Sequence, residues 1–265
     1  MIKNLTAIYF SGTGNTKWAV ERLCKKLSAG GVECTIKSIE DSDCLDLMAN
    51  ADAVLVAYPI YGSDLPPIMK EWLKTNASAF YGKKIITLAT QLLFSGDGGA
   101  LAKRMLRKQK VKCAASIHVN LPSNICDLTI FKIKNGDENA KKITKAKRKI
   151  DKCATKILQG KRIINGRHFY SWGLGFFTQR CLHKLFMERR YKKALKIDES
   201  ICVKCNKCAE CCPINNIVIT DTITTNNNCT ACYRCVNLCP VKAISLMIKK
   251  KPKVQYKGLR GEHNN

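Results

Sequence analysis

Ala7-Ile8-Tyr9-Phe10-Ser11-Gly12-Thr13-Gly14-Asn15-Thr16 is the stretch on which the architecture turns. Four apolar residues form a short strand that stops at Ser11-Gly12. Residues 14–29 follow with Trp18, Ala19, Val20, Leu23 and Leu27 near helical spacing, and Gly30-Gly31 ends that helix. The loop between strand and helix offers two glycines and three hydroxyls, those of Ser11, Thr13 and Thr16. Its backbone N–H groups stand at a helix N-terminus, where the partial positive charge favours a phosphate without any arginine. A plain glycine turn is the alternative. Neither GxxxxGK[ST] nor GxGxxG occurs here, so the loop is neither a P-loop nor a dinucleotide fingerprint.

The same alternation continues outward. Val32–Ile39 alternates as a strand does, and Ala53–Tyr58 is an unbroken apolar run, as in a strand buried on both faces. Residues 66–75 read as a helix opened by Pro66-Pro67. Lys84–Ala89 reads as a strand, Gly98–Lys110 as a helix, Ala114–Val119 as a fifth strand and Glu138–Gln159 as a long basic helix. Strands separated by helices imply a parallel sheet covered on both faces. Five such strands in the first 160 residues predict an α/β doubly wound sheet in the order 2-1-3-4-5.

Beyond residue 160 the pattern breaks. Gly166, Gly173 and Gly175 punctuate a segment with Phe169, Tyr170, Trp172, Phe176 and Phe177. Gln179–Lys196 then reads as a basic amphipathic helix, suited to lie between two domains or on a membrane surface.

Next come Cys202, Cys205, Cys208 and Cys212-Pro213, repeated 27 residues later as Cys229, Cys232, Cys235 and Cys239-Pro240. Ile217 is echoed by Ile244 and Ile219 by Leu246, so this is an internal duplication. Three cysteines two residues apart wrap one iron–sulfur cube. The fourth, three residues on and before a proline, reaches the other cube. Cys202, Cys205, Cys208 and Cys239 are thus expected to hold one [4Fe-4S] cluster, and Cys229, Cys232, Cys235 and Cys212 the second. Two zinc sites are the alternative, but zinc motifs come as paired CxxC units rather than three cysteines in tandem. Cys211 is read as a bystander, and the remaining seven cysteines as reduced structural thiols.

These motifs carry two resemblances. Ser11–Thr16 resembles the FMN phosphate loop of flavodoxins, and residues 198–247 resemble a bacterial two-cluster ferredoxin. The flavodoxin-like resemblance implies FMN bound by Ser11, Gly12, Thr13, Gly14, Asn15 and Thr16. It also implies ring contacts from Pro59, Ile60, Tyr61 and Gly62, with Tyr61 stacking on the isoalloxazine. Thr90, Phe94, Gly96, Gly98 and Gly99 would close the other side. The whole resembles the flavodoxin–ferredoxin fusions of anaerobes, which implies electron transfer between clusters and flavin. The expected divisions are a flavodoxin-like domain (1–160), a basic connector (161–197), a small α+β ferredoxin domain (198–247) and a basic tail (248–265).

Composition bounds the rest. Of the 265 residues, 46% are apolar and 25% charged, as in a folded globular chain. No apolar run is long enough to span a membrane, and Met1–Thr6 lacks a signal peptide's apolar segment; a cytoplasmic protein is expected. Sixteen cysteines in such a chain favour metal over disulfides. Residues 1–100 carry 10 basic and 10 acidic side chains, whereas residues 101–196 carry 26 against 5, a net of +21. That excess suits an acidic redox partner, with a membrane surface or nucleic acid as alternatives, or is simply a solvated lysine-rich face. His118, His168, His183 and His263 stand alone, and no nucleophile or acid–base pair emerges. The choice between a carrier and an FMN-dependent oxidoreductase that reduces a quinone-like acceptor is left open.

Overall fold

The computed structural model describes residues 2–128, 131, 133–134, 136–165, 191–248 and 251–259. The aromatic–glycine segment and the helix expected from Gln179 fall mainly outside the described residues.

The first half folds into a six-stranded sheet, β2-β1-β3-β4-β5-β6, in which every neighbouring pair is parallel. Its strands are β1 (Asn4–Tyr9), β2 (Glu33–Ser38), β3 (Ala53–Pro59), β4 (Lys84–Gln91), β5 (Lys112–Asn120) and β6 (Ile163–Ile164). The order of the first five is the doubly wound flavodoxin-like order expected from the sequence. The sixth is a two-residue addition, paired through Ala115↔Ile163 and Ser116↔Ile164. Two residues carry no detectable period, so the sequence gives no sign of it.

The period-two pattern sorts the core into two layers. Leu5 and Ala7 of β1 and Leu55 and Ala57 of β3 pack with helices α1 (Asn15–Ser28) and α5 (Gly136–Leu158). Ile8, Val54, Val56 and Tyr58 pack on the opposite face with Met69 and Leu73 of α3 (Pro67–Thr75). A short helix, α2 (Cys44–Ala49), lies between β2 and β3 and was not foreseen; only Cys44 and Met48 of it are buried. Each fully buried aliphatic side chain contributes about 1.5–3 kcal/mol.

The helix expected over 98–110 is broken. A 3-10 turn at Gly98–Ala100 leads into α4 (Leu101–Met105), and a second turn at Arg107–Gln109 ends on Lys110 with φ 53°. Tertiary contacts tighten its start: Tyr58 Oη donates to Gly98 O at 2.8 Å, and the Gly99 amide donates to His118 Nε2.

The long basic helix forms as expected. Ala146, Ile150, Cys153 and Ala154 face the core. Lys141, Lys145, Arg148, Lys149 and Lys152 face water, so much of the basic middle is the solvated side of α5. Among the described residues no helix is long and apolar enough to cross a membrane.

The cysteine-rich region is built from two antiparallel pairs. β7 (Lys196–Ile197) pairs with β10 (Ile244–Ser245), and β8 (Ile217–Ile219) with β9 (Ile223–Thr225). The duplication is written into its backbone. Positive φ recurs at the same 27-residue interval: Lys204 (48°) with Ala231 (55°), Asn206 (60°) with Tyr233 (62°), and Asn215 (49°) with Lys242 (55°). Non-glycine residues rarely adopt this region, so the paired turns mark one loop shape used twice.

Candidate cofactor sites

Four loops leave the carboxyl ends of β1, β3, β4 and β5 and meet around a cavity of about 640 Å³. This is the crevice where a doubly wound sheet places ligands. Its polar floor is Ser11, Gly12, Thr13, Asn15 and Thr16, and its walls include Pro59, Ile60, Tyr61, Gly62, Thr90 and Phe94. The volume lies within the range of cofactor sites.

The loop after β1 is held open for an anion. Gly14 adopts φ 93° at the start of α1, and its amide donates to Ser11 Oγ at 3.1 Å. The Thr13 hydroxyl accepts from Asn124 Nδ2 at 2.9 Å, and Thr16 and Thr90 share a hydroxyl hydrogen bond of 2.8 Å. Asn15 Nδ2 donates to Pro122 O at 3.0 Å. Tyr61 lines the wall. Its hydroxyl is buried away from the cavity, near Cys232, Cys229 and Arg234, and has no hydrogen-bond partner among the described residues. Burial raises the Tyr61 pKa well above its ordinary value, which keeps this hydroxyl a donor. Among the described residues the Gly12 and Thr13 amides have no protein acceptor, and these amides beside apolar walls fit a phosphate-bearing flavin.

Several expected residues lie elsewhere. Gly14 lines a neighbouring crevice of about 440 Å³ that shares Ser11, Gly12 and Thr13 with the larger cavity. Gly96, Gly98 and Gly99 do not line the flavin-sized cavity. Gly98 and Gly99 are spent on packing: a Cβ on Gly99 would stand 2.4 Å from His118 Nε2, and one on Gly98 2.6 Å from Ser95 Oγ. Burial, helped by Lys149, lowers the His118 pKa to about 4, so the imidazole stays neutral and accepts the Gly99 amide.

Two smaller voids lie in the cysteine-rich region. Cys212, Cys229, Cys232 and Cys235 line one, and Cys202, Cys205, Cys208 and Cys239 line the other. The two rings are the two expected ligand sets, each with its fourth cysteine drawn from the other motif. Among the described residues no three His, Cys, Asp or Glu side chains converge as they would on a single ion. Amides already address the sulfurs: Asn216 N donates to Cys212 Sγ and Ala243 N to Cys239 Sγ, both at 3.2 Å and again 27 residues apart. Such hydrogen bonds stabilise a reduced cluster. Burial raises the Cys232 thiol to about 12 and holds Cys235 well above its usual value. These sulfurs become thiolates only with compensating positive charge, which iron supplies.

The two sites abut. Tyr233 lines both the cavity and the void ringed by Cys212, Cys229, Cys232 and Cys235. Its hydroxyl donates to buried Asp127 at 2.7 Å, and the amides of Leu246 and Met247 donate to the same carboxylate at 2.7 Å. Arg234 spans the junction. Its guanidinium donates to Ser11 O (2.9 Å), Gly12 O (3.2 Å) and Cys211 O (3.1 Å), and grips Glu40 through two 2.8 Å bonds. Gly12 is needed for more than a turn, because a Cβ there would meet Cys232 O at 2.3 Å.

Sequence reasoning missed Pro122, Ser123 and Asn124, which follow β5 and line the cavity. Their place after a buried strand was the available signal. It also missed Arg234, Tyr233 and Asp127, which act across more than a hundred residues of chain and leave no local pattern.

The flavodoxin domain family model matches residues 6–123, and the 4Fe-4S binding domain model matches residues 224–245. No curated protein matches the chain. Among solved structures, a flavodoxin from the domain Archaea is 16% identical, with 58% of this chain and 98% of that chain covered and a TM-score of 0.42. The flavodoxin of Fusobacterium nucleatum bound to flavin mononucleotide is 15% identical, with 60% and 98% covered and a TM-score of 0.42. The two-electron reduced flavodoxin of Megasphaera elsdenii is 20% identical, with 54% and 97% covered and a TM-score of 0.39. An N-terminal region that matches a flavodoxin domain is thus joined to a C-terminal segment that matches a 4Fe-4S binding domain, consistent with a flavodoxin–ferredoxin fusion.

Proposed function

We propose that this protein is a redox carrier that moves electrons between two [4Fe-4S] clusters and FMN within one chain. The observation that carries the reading is Tyr233, which lines both the flavin-sized cavity and one cysteine ring. FMN supplies a centre that takes one or two electrons, matching one-electron clusters to a two-electron partner. Residues 1–160 would hold FMN, with the phosphate on Ser11–Thr16 and the ring against Pro59–Gly62 and Phe94. Residues 198–247 would hold the clusters.

The chain's own residues order the path. Cys212, Cys229, Cys232 and Cys235 form the inner ring, beside the flavin cavity. Cys202, Cys205, Cys208 and Cys239 form the outer ring, where Cys205 is exposed and Val203 is 59% exposed. Lys204 and Lys207 flank this exposed rim and suit an acidic redox partner. Burial of Cys232 and Cys235 keeps water from the inner ring. Covalent fusion replaces diffusional encounter with a fixed junction.

A second reading, reduction of a small quinone-like acceptor, has one observation in its favour. Leu93 and Phe94, 67% and 53% exposed, stand among the cavity's lining residues as an apolar lip. The test of the main reading is composition. Anaerobically purified protein should contain about eight irons and one FMN per chain. Zinc in place of iron, or clusters without flavin, would overturn it.

A further inference from the structure

The flavin cavity is a composite of both domains. Ala231, Tyr233 and Met247 of the cysteine-rich region complete a wall that the four sheet loops leave open. The contact extends to the anion floor itself. Arg234 receives the carbonyls of Ser11 and Gly12. In a trans peptide the C=O and the following N–H point in opposite directions. Holding these carbonyls therefore aims the Gly12 and Thr13 amides away from the guanidinium, and among the described residues neither amide has a protein acceptor. Arg234 is itself fixed on both sides, by Glu40 of the sheet domain and by Cys211 O inside the first cysteine motif. It lies between Cys232 and Cys235 in sequence, so its position depends on the inner ring. The Cys232 carbonyl seated against Gly12 gives the loop a second support from the same ring.

We propose that the clusters gate the flavin: with iron in place, the inner ring holds Arg234 against the phosphate loop and FMN binds tightly, and when the clusters are lost the loop and wall relax and FMN leaves. Arg234 is the positioning residue of this interlock. The inference rests on the flavin reading of the cavity. A region of some 50 residues with two small sheets has too little core to stay ordered without its cofactors. Coupling is reciprocal, so bound FMN tightens the hold on iron by the same factor.

The test is FMN affinity, measured by quenching of flavin fluorescence on the full chain in three forms: cluster-loaded, stripped of iron by a chelator, and cluster-loaded Arg234→Ala. Circular dichroism of the stripped chain checks that the α/β sheet persists. Stripping is expected to weaken FMN binding at least about tenfold, and Arg234→Ala with full iron content about tenfold, the range for hydrogen bonds from a charged donor. Arg234→Lys should recover part of the loss. FMN should also lower the share of iron that the chelator holds at equilibrium in the wild type but not in Arg234→Ala. Equal FMN affinity with and without iron overturns the interlock, and equal affinity of Arg234→Ala and wild type removes Arg234 from it. If the loaded wild type binds no FMN, the flavin reading fails and the interlock with it.

Discussion

In the N-terminal sheet Leu55, Val56 and Tyr58 are wholly removed from water between two layers of helices. The C-terminal region instead buries Cys208, Cys232, Cys235 and Cys239 among a few aliphatics such as Ile217, Val236 and Ile244. The first region carries its stability in apolar area and repeated parallel pairing. The second has short strands, tight left-handed turns and sulfurs arranged around voids, so its order is borrowed from what those sulfurs bind. The contrast teaches where each region will fail, because one unfolds when its core is cut and the other when its metal is taken.

The largest expected effect follows from removing the iron. Chelation should abolish hydrogen-exchange protection over residues 191–248 while β1, β3 and β4 stay protected. Protection lost together across the whole chain would break the comparison. Next in size is a cut to the other core. Leu55→Ala leaves a cavity between β3 and the helix layer, and should cost about 2–5 kcal/mol in urea unfolding of the sheet domain with the iron content unchanged.

Acid should also strike the sheet domain. His118 is buried and its pKa falls from 6.5 to about 4. Below its ordinary pKa the unfolded chain takes up a proton that the folded chain refuses. Stability is therefore lost as pH falls from about 6.5 to about 4, by a total on the order of 3 kcal/mol. His118→Gln should flatten that part of the profile, and an unchanged slope would remove His118 as its cause. The smallest effect concerns the seam. Asp127→Asn weakens the hold on Tyr233 and on the Leu246 and Met247 amides, and should cost about 1–3 kcal/mol in the iron-bound protein. A calorimetric scan in which both transitions stay in place would contradict it.

How much of this could be read beforehand followed the range of the interactions. Ala53–Tyr58 and Lys84–Ala89 declare themselves because burial on both faces forces a continuous apolar run. The eight cysteines declare themselves because their spacing recurs 27 residues apart. The strand ends follow from the same apolar runs and put Ser11–Thr16 and Tyr61 at the crevice, while the flavodoxin resemblance supplied their expected roles. Gly98 and Gly99 misled, because glycine serves close packing as readily as ligand contact and only the position of His118 tells which. Arg234 was silent, since one arginine beside a cysteine has no pattern until the fold brings Ser11, Gly12 and Glu40 to it.

The central claim is that the inner ring, and not the outer, exchanges electrons with the flavin. The direct test is flash reduction of FMN held at saturating concentration, with the electron's arrival at a cluster followed by electron paramagnetic resonance, in Cys205→Ala and in Cys229→Ala variants whose iron content shows that the other cluster is kept. The account predicts that Cys205→Ala, which spoils the outer ring, keeps light-driven cluster reduction, and that Cys229→Ala, which spoils the inner ring, loses it. Cluster reduction that survives Cys229→Ala and fails in Cys205→Ala would contradict the order of the path.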